Sequence, residues 1–296
     1  MAEDRFLLGV HVSISGGVHL AVERAAALRC TTFQIFPSNP RGWRQKPLDE
    51  EEVAAFREGV TRRGLEPFFI HMPYLPNLAS PDDELYEKST AALVDGVARA
   101  ARLGGRFVIT HLGSHRGAGL AAGQERAARA IRRAVEATPR ADVTVLMENS
   151  AGKSNQVGTT FTELTTLYKM AGKKAQTRLG LCVDTCHSHV MGYDLSGDGD
   201  GLERIMAEVD EFVGINKIKV VHLNDAKAAA GSGLDRHEHI GLGTIGREGF
   251  KKIINHPKLR HLPMVLETPQ EGDWDEKNLK AVRRLRQKTT RGARSK

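Results

Sequence analysis

Eight short apolar runs, each released through a Gly-, Asn-, Ser- or Pro-rich turn into a segment of helical period, constrain this chain more than any other feature. The runs are "FLLGVHV", "TTFQIF", "PFFI", "RFVIT", "VTVLM", "RLGLCV", "IKVV" and "PMVL". They are four to seven residues long and rich in β-branched or aromatic side chains, as strands covered on both faces are. Between them the apolar spacing changes to about 3.6. "GLERIMAEVDEFVG" puts Leu202, Ile205, Met206, Val209, Phe212 and Val213 on one face. "LDEEEVAAFREGVTRRG" has an acidic first turn, a face of Val53, Phe56 and Val60, and a glycine stop. "GLAAGQERAARAIRRAVEA" is a looser helix, mostly Ala and Arg. Eight strands alternating with helices predict an α/β fold, a single-domain (β/α)8 TIM barrel over residues 1–276, and the length of 296 is near typical for one. The rival, an open doubly wound sheet, would place GxGxxG after an early strand, and none follows.

A barrel carries its chemistry where strands end and the following loops begin. "PFFI" runs into His71, "RFVIT" into His111 and "VTVLM" into Glu148. "RLGLCV" runs into Asp184 and then His187, "IKVV" into His222 and "PMVL" into Glu267. The loop after the seventh strand adds "DRHEH", with Asp235 and His237 at i and i+2, on one side of an extended chain. Singly, each has a structural explanation: a hydrogen-bonded rim histidine, a loop salt bridge, a helix cap. Together, five imidazoles and four carboxylates on one rim would repel or stay unpaired without cations between them, and a carboxylate closing a buried strand is costly without a partner. Mixed His and carboxylate ligands suit zinc, with manganese or iron as alternatives. Nine ligands exceed one tetrahedral site and suit two or three ions, the arrangement that cleaves phosphoesters.

The net charge of +7 is local. From Lys277 to Lys296 there are nine Lys or Arg and no acid, and the remainder holds 34 basic against 36 acidic residues. Residues 277–296 therefore read as a basic C-terminal tail, able to hold phosphates or to stand as a solvated end. Three cysteines without a CxxC pair, no basic-then-apolar leader and no long apolar run predict a reduced, cytoplasmic protein with no membrane segment. An aromatic content of 5% argues against single-strand binding by base stacking.

The motifs "GVHVSISGG", "HMPYLPNLASP", "THLGSH", "LMENSAGKSNQVG", "CVDTCHSHVMGYDL", "HLNDAKAAAGSGLDRHEHIGLGTIG" and "VLETP" resemble the endonuclease IV family of apurinic/apyrimidinic endonucleases, from Gly9 to about Thr268. The resemblance implies a monomeric DNA-repair enzyme, nucleoid-associated if bacterial, that cuts duplex DNA 5′ to an abasic sugar. It would leave a 3′-hydroxyl and a 5′ sugar phosphate, and would clear blocked 3′ ends. It implies three zinc ions: one on His71, His111 and Glu148; a second sharing Glu148 with Asp184, His222 and Glu267; a third, more exposed, on His187, Asp235 and His237. Hydroxide held between the Glu148-linked pair would attack phosphorus in line, with Glu148 and Glu267 as the catalytic carboxylates. Arg41, Tyr74 and Leu75 would wedge the duplex open so that the sugar flips out. Asn224 and Lys227 are expected beside the ligands or as loop caps, His115 and His11 as structural or supporting groups, and Cys182 and Cys186 as buried inert thiols.

Three other functions compete. A metal-dependent sugar isomerase shares the barrel but needs fewer ions, so "DRHEH" and His187 count against it. A non-enzymatic DNA-binding protein would act through its tail. A UV-damage endonuclease differs only in substrate.

Overall fold

The computed structural model describes residues 5–43, 45–153 and 155–287. Eight parallel strands follow one another around a ring: β1 (Leu8–Val10), β2 (Phe33–Ile35), β3 (Phe68–His71), β4 (Phe107–Thr110), β5 (Thr144–Glu148), β6 (Leu179–Asp184), β7 (Ile218–His222) and, after a two-stranded ribbon of β8 (Asp225–Ala226) and β9 (His237–Glu238), β10 (Met264–Leu266). The last strand pairs with the first through Leu8↔Met264 and Val10↔Leu266. A parallel bridge between His11 and Gln34 and the bond from Val12 N–H to the Gln34 carbonyl (2.8 Å) join β1 to β2. The eight runs read from the sequence are these eight strands, and the fold is a single-domain TIM barrel.

The main crossover helices are α1 (Leu20–Ala27), α2 (Glu50–Arg63), α3 (Asp83–Leu103), α4 (Leu120–Ala137), α5 (Phe161–Met170) with the short α6 (Lys173–Gln176), then, after the one-and-a-half-turn α7 (Thr185–Val190), α8 (Gly201–Phe212), α9 (Gly246–Asn255) and α10 (Trp274–Leu285). Local chemistry starts and stops them. Asp49 caps α2 by accepting from Glu51 and Glu52 N–H, and Gly64 ends it at φ 62°, a conformation open to glycine without strain. Val53, Phe56 and Val60 are buried as expected, as are Ile205, Met206 and Val209 of α8, whereas Phe212 at its end is exposed.

Strand parity divides the interior in two. Outward residues such as Val145, Met147, Leu181, Val183 and Val221 join the helices in the larger core. Inward residues Phe69, Ile109, Leu146, Cys182, Val220 and Val265 form a separate lumen layer, each wholly buried. That layer places the site: the residues two positions further along each strand direction are His71, His111, Glu148, Asp184, His222 and Glu267.

Helix α10 buries Leu279, Val282 and Leu285, so the basic run read as a tail from Lys277 begins inside a packed barrel helix, its positive charges on the outer face. Residues 288–296 lie outside the described residues. Among the described residues no helix is long and apolar enough to cross a membrane.

Candidate metal centre

Glu148 is the hub. Its carboxylate is wholly buried; Oε2 lies 2.9 Å from His71 Nε2 and 3.6 Å from His111 Nε2, and Oε1 lies 3.1 Å from His222 Nδ1. His222 Nδ1 is also 3.1 Å from Glu267 Oε2 and 3.9 Å from Asp184 Oδ2. On the other side His187 Nε2 and His237 Nε2 face the two oxygens of Asp235 at 3.3 and 3.4 Å, and His237 Nε2 is 4.0 Å from Asp184 Oδ2. All nine sequence-predicted ligands thus meet. Glu148, Asp184, His222 and Glu267 form one compact set and His187, Asp235 and His237 another. In the first predicted set the structure groups His222 more closely than His111 with His71 and Glu148.

The rings are aimed. His71 Nδ1 bonds the Met72 carbonyl (2.6 Å), His187 Nδ1 the Asn149 carbonyl (2.9 Å) and His237 Nδ1 the Glu267 carbonyl (2.9 Å). A carbonyl only accepts, so each Nδ1 carries a proton and each Nε2 is the nitrogen turned to the centre, able to bind a cation once it holds no proton. His222 is turned the other way, its Nε2 on Gln34 Oε1 (2.8 Å) and its Nδ1 inward. The Nε2 atoms of His111 and His237 are buried with no hydrogen-bond partner. Orphaned buried nitrogens are rare, and two of them facing carboxylates at 3.4–3.6 Å fit ligands of a shared cation. Two ligand atoms on one tetrahedral zinc stand about 3.3 Å apart, given bonds of about 2.0 Å. The residues fit the group.

Without a cation, the site balances itself with protons. Burial opposes charge on Glu148, yet His111, His222 and His71 together hold its carboxyl well below the usual range. Burial likewise opposes charge on His187, but Asp184, Asp235 and Glu148 outweigh it and bring its pKa to about 10. His222 is raised well above the ordinary value against burial, through Cys182, Glu267 and Glu148. At His111 burial wins over Glu148 and lowers the pKa to about 4.

Sequence reading missed two members of the layer that supports these groups, Gln34 and Asn149. Gln34 donates to Glu267 Oε1 (2.6 Å) while bonding His222 and, at 2.9 Å, His11 Nδ1. The only trace in the sequence is a glutamine between Phe33 and Ile35, whose inward parity the neighbouring strands fix. Asn149 accepts from Asp184 N–H (2.8 Å) and donates to the Asp184 carbonyl and to Ser188 Oγ. Asn224 donates to Asp184 Oδ2 (2.7 Å) and accepts from Glu267 N–H (2.7 Å), so it both supports and caps. Asp184 doubles as the cap of α7, its Oδ1 accepting from His187 N–H. Lys227 is paired with Glu238 away from the ligands, and His115 accepts a loop N–H from Gly119. Cys186 lies near Asp184 and His237, but burial pushes its thiol up and Sγ points to the Arg236 carbonyl; burial raises the Cys182 thiol to about 12.

A cavity of about 430 Å³ opens beside the ligands, lined by His111, His187 and Asp235 and by Tyr74, Leu75 and Arg116. Tyr74 is 71% exposed and its ring stacks on His111 (5.1 Å, 21°). Arg41 is exposed on the β2–α2 loop and does not line this cavity.

A family profile described as xylose isomerase-like TIM barrel matches residues 22–288. The chain is 50% identical to a probable endonuclease 4 of Methanoculleus marisnigri over 280 residues, 94% of this chain and 98% of the relative. It is 45% identical to a probable endonuclease 4 of Cenarchaeum symbiosum, covering 94% and 99%. The crystal structure of endonuclease IV from Thermus thermophilus superposes with a TM-score of 0.84 at 39% identity, covering 94% of this chain and 98% of that one. A D-tagatose 3-epimerase-like protein superposes at 0.71 with 17% identity, a likeness of fold alone.

Proposed function

Because this chain belongs to the endonuclease IV family, we propose that it is a DNA-repair nuclease that hydrolyses the phosphodiester 5′ to abasic sites in duplex DNA. Water adds to phosphorus and the P–O3′ bond breaks, leaving a 3′-hydroxyl and a 5′-deoxyribose phosphate. The same chemistry would remove blocking groups from 3′ ends. The observation that carries this reading is the meeting of nine residues able to bind metal, two of them with orphaned imidazole nitrogens. A second feature favours it over sugar isomerisation: the separate His187, Asp235 and His237 set, which gives room for a third ion.

His71, His111 and Glu148 would hold one ion, Glu148, Asp184, His222 and Glu267 a second, and His187, Asp235 and His237 a third. Zinc suits these donors best, with manganese or iron as substitutes. Such ions lower the pKa of water to near neutrality and neutralise charge on phosphate and leaving oxygens. The chain's own contribution is orientation. Main-chain carbonyls fix three imidazoles, Gln34 fixes a fourth, and the apolar lumen layer keeps water out from below. Tyr74 and Leu75 at the cavity mouth, with Arg41 on the neighbouring loop, would fill the gap left by a flipped sugar, whose missing base lowers the cost of extrusion. The basic segment beyond Gln287 would add sequence-independent phosphate contacts. The protein would act as a cytoplasmic monomer.

The test is incision of a labelled duplex bearing one abasic-site analogue, with metal counted in the same preparation. Cleavage 5′ to the lesion with three ions bound, abolished in Glu148→Gln and in His111→Ala, is the expected result. A folded, fully metallated protein that leaves the duplex intact would sink it.

A further inference from the structure

One buried carboxylate near the centre touches none of the ligand atoms. Asp225 opens the β8–β9 ribbon and is wholly buried, yet its partners are main-chain amides. Oδ2 accepts from Gly241 N–H (2.8 Å) and Gly243 N–H (3.0 Å); Oδ1 accepts from Ala226 (2.9 Å), Ile245 (3.1 Å) and Gly246 (3.4 Å). The chain therefore leaves Asp225, travels out through Asp235 and His237, and returns to the same carboxylate. Within this excursion Asp225 pairs with Glu238 and Ala226 with His237, Lys227 N–H bonds the Arg236 carbonyl (2.9 Å), and Thr244 N–H bonds the Ala226 carbonyl (2.8 Å). Gly243 must be glycine for this closure, since a Cβ there would run into the Asp225 carboxylate and the Ala226 carbonyl. Only an ionised carboxylate offers acceptors alone on both oxygens; an amide would set its own N–H groups against two or three main-chain N–H groups.

We propose that Asp225 is a positioning residue for the ion held by His187, Asp235 and His237, acting through the loop it pins and without touching the ion. This rests on the metal centre proposed above. The other six ligands stand on barrel strands or at their ends, and the amides gathered by the Asp225 carboxylate belong to none of them. Removing the pin therefore separates one ion from the rest, which a general loss of packing would not do.

The experiment compares wild type with Asp225→Asn and Asp225→Glu, each stripped of metal, reloaded with Zn²⁺ and titrated against a chromophoric chelator. Amide hydrogen exchange is followed in the metal-free proteins. The expected result is two ions retained at wild-type affinity and a third weakened on the order of ten- to a hundredfold, as for other groups that orient ligands. Exchange at Gly241, Gly243 and Ile245 would quicken while the strand amides stay protected. Three ions at wild-type affinity in both variants would overturn the assignment. So would loss of all ions together, or failure of both variants to fold, because Asp225 would then serve the whole barrel. A wild-type count below three would sink the three-ion reading itself and this assignment with it, whereas three ions at wild-type affinity in every protein would sink this assignment alone.

Discussion

The centre has two halves built by different means. His71, His111, Glu148, Asp184, His222 and Glu267 stand at strand ends, two residues beyond a dry lumen layer, and their places follow from sheet parity. His187, Asp235 and His237 come from the short α7 and from an excursion of the chain, and Asp235 has 43% of its side chain exposed. The first half stands on strands hydrogen-bonded to neighbours on both sides. In the second, His187 and His237 donate to the Asn149 and Glu267 carbonyls, and the β8–β9 loop closes on itself. The same side-chain types therefore sit on different supports, and their removal should have different consequences.

The largest effect is expected in the strand-built half. Glu148→Gln keeps the volume but replaces the hub carboxylate among His71, His111 and His222 with an amide. It should lower kcat on the order of a thousandfold and reduce the ion count by more than one. Elemental analysis beside single-turnover incision checks both, and an unchanged count would contradict the hub role. In the loop-built half, His237→Ala should remove one ion only and lower kcat on the order of a hundredfold. The melting temperature of the metal-free protein should hardly move, since that ring is partly exposed and on a ribbon. If both substitutions emptied the centre equally, the division into halves would fail.

Gln34 tests whether the strand half is as self-sufficient as its parity suggests. Gln34→Ala leaves His222 Nε2 without its acceptor and Glu267 Oε1 without its donor. Affinity for the ion between those two ligands should fall ten- to a hundredfold, roughly the range for a group that orients ligands. Competition against a chelator measures it, and wild-type affinity would mean that the strands alone aim His222.

The two halves were also unequally legible in the sequence. The strand-end positions were legible because an apolar run announces the strand and period-two alternation carries its last side chain to the rim. Asp235 and His237 were found from their i, i+2 spacing, but nothing local showed that the loop would fold back onto Asp225. The wedge positions Arg41, Tyr74 and Leu75 came from family resemblance, and the structure brings two of them to the cavity mouth. The C-terminal helix was hidden by its charge: Leu279, Val282 and Leu285 recur at helical spacing, yet nine basic residues made the segment read as a tail. Gln34 was passed over because one polar residue in a β-rich run has no meaning until its parity is fixed by neighbouring strands.

The smallest expected effect separates His187 from His111 by protons. His187, on α7, has its pKa brought to about 10 by Asp184, Asp235 and Glu148 against burial, whereas His111, at a strand end, is lowered to about 4 by burial. Near pH 7.5 the metal-free protein therefore carries a proton on His187 and none on His111. Loading the His187 set must expel that proton, so its apparent affinity should rise about tenfold per pH unit as pH climbs towards 10. The His111 nitrogen asks for no such exchange above about pH 4. The stability of the metal-free fold moves oppositely. A histidine raised above its ordinary value of about 6.5 contributes fully below that pH and loses the contribution as pH rises through the folded value. Melting of the metal-free protein should thus fall between about pH 6.5 and 10 through this group, while the loaded protein, whose His187 is already neutral, should not share the trend. Calorimetric titration with Zn²⁺ in buffers of different ionisation enthalpy counts the protons released, those on His222 and His71 together with the one on His187. A heat independent of buffer would mean that these histidines, His187 among them, are neutral before the ions arrive.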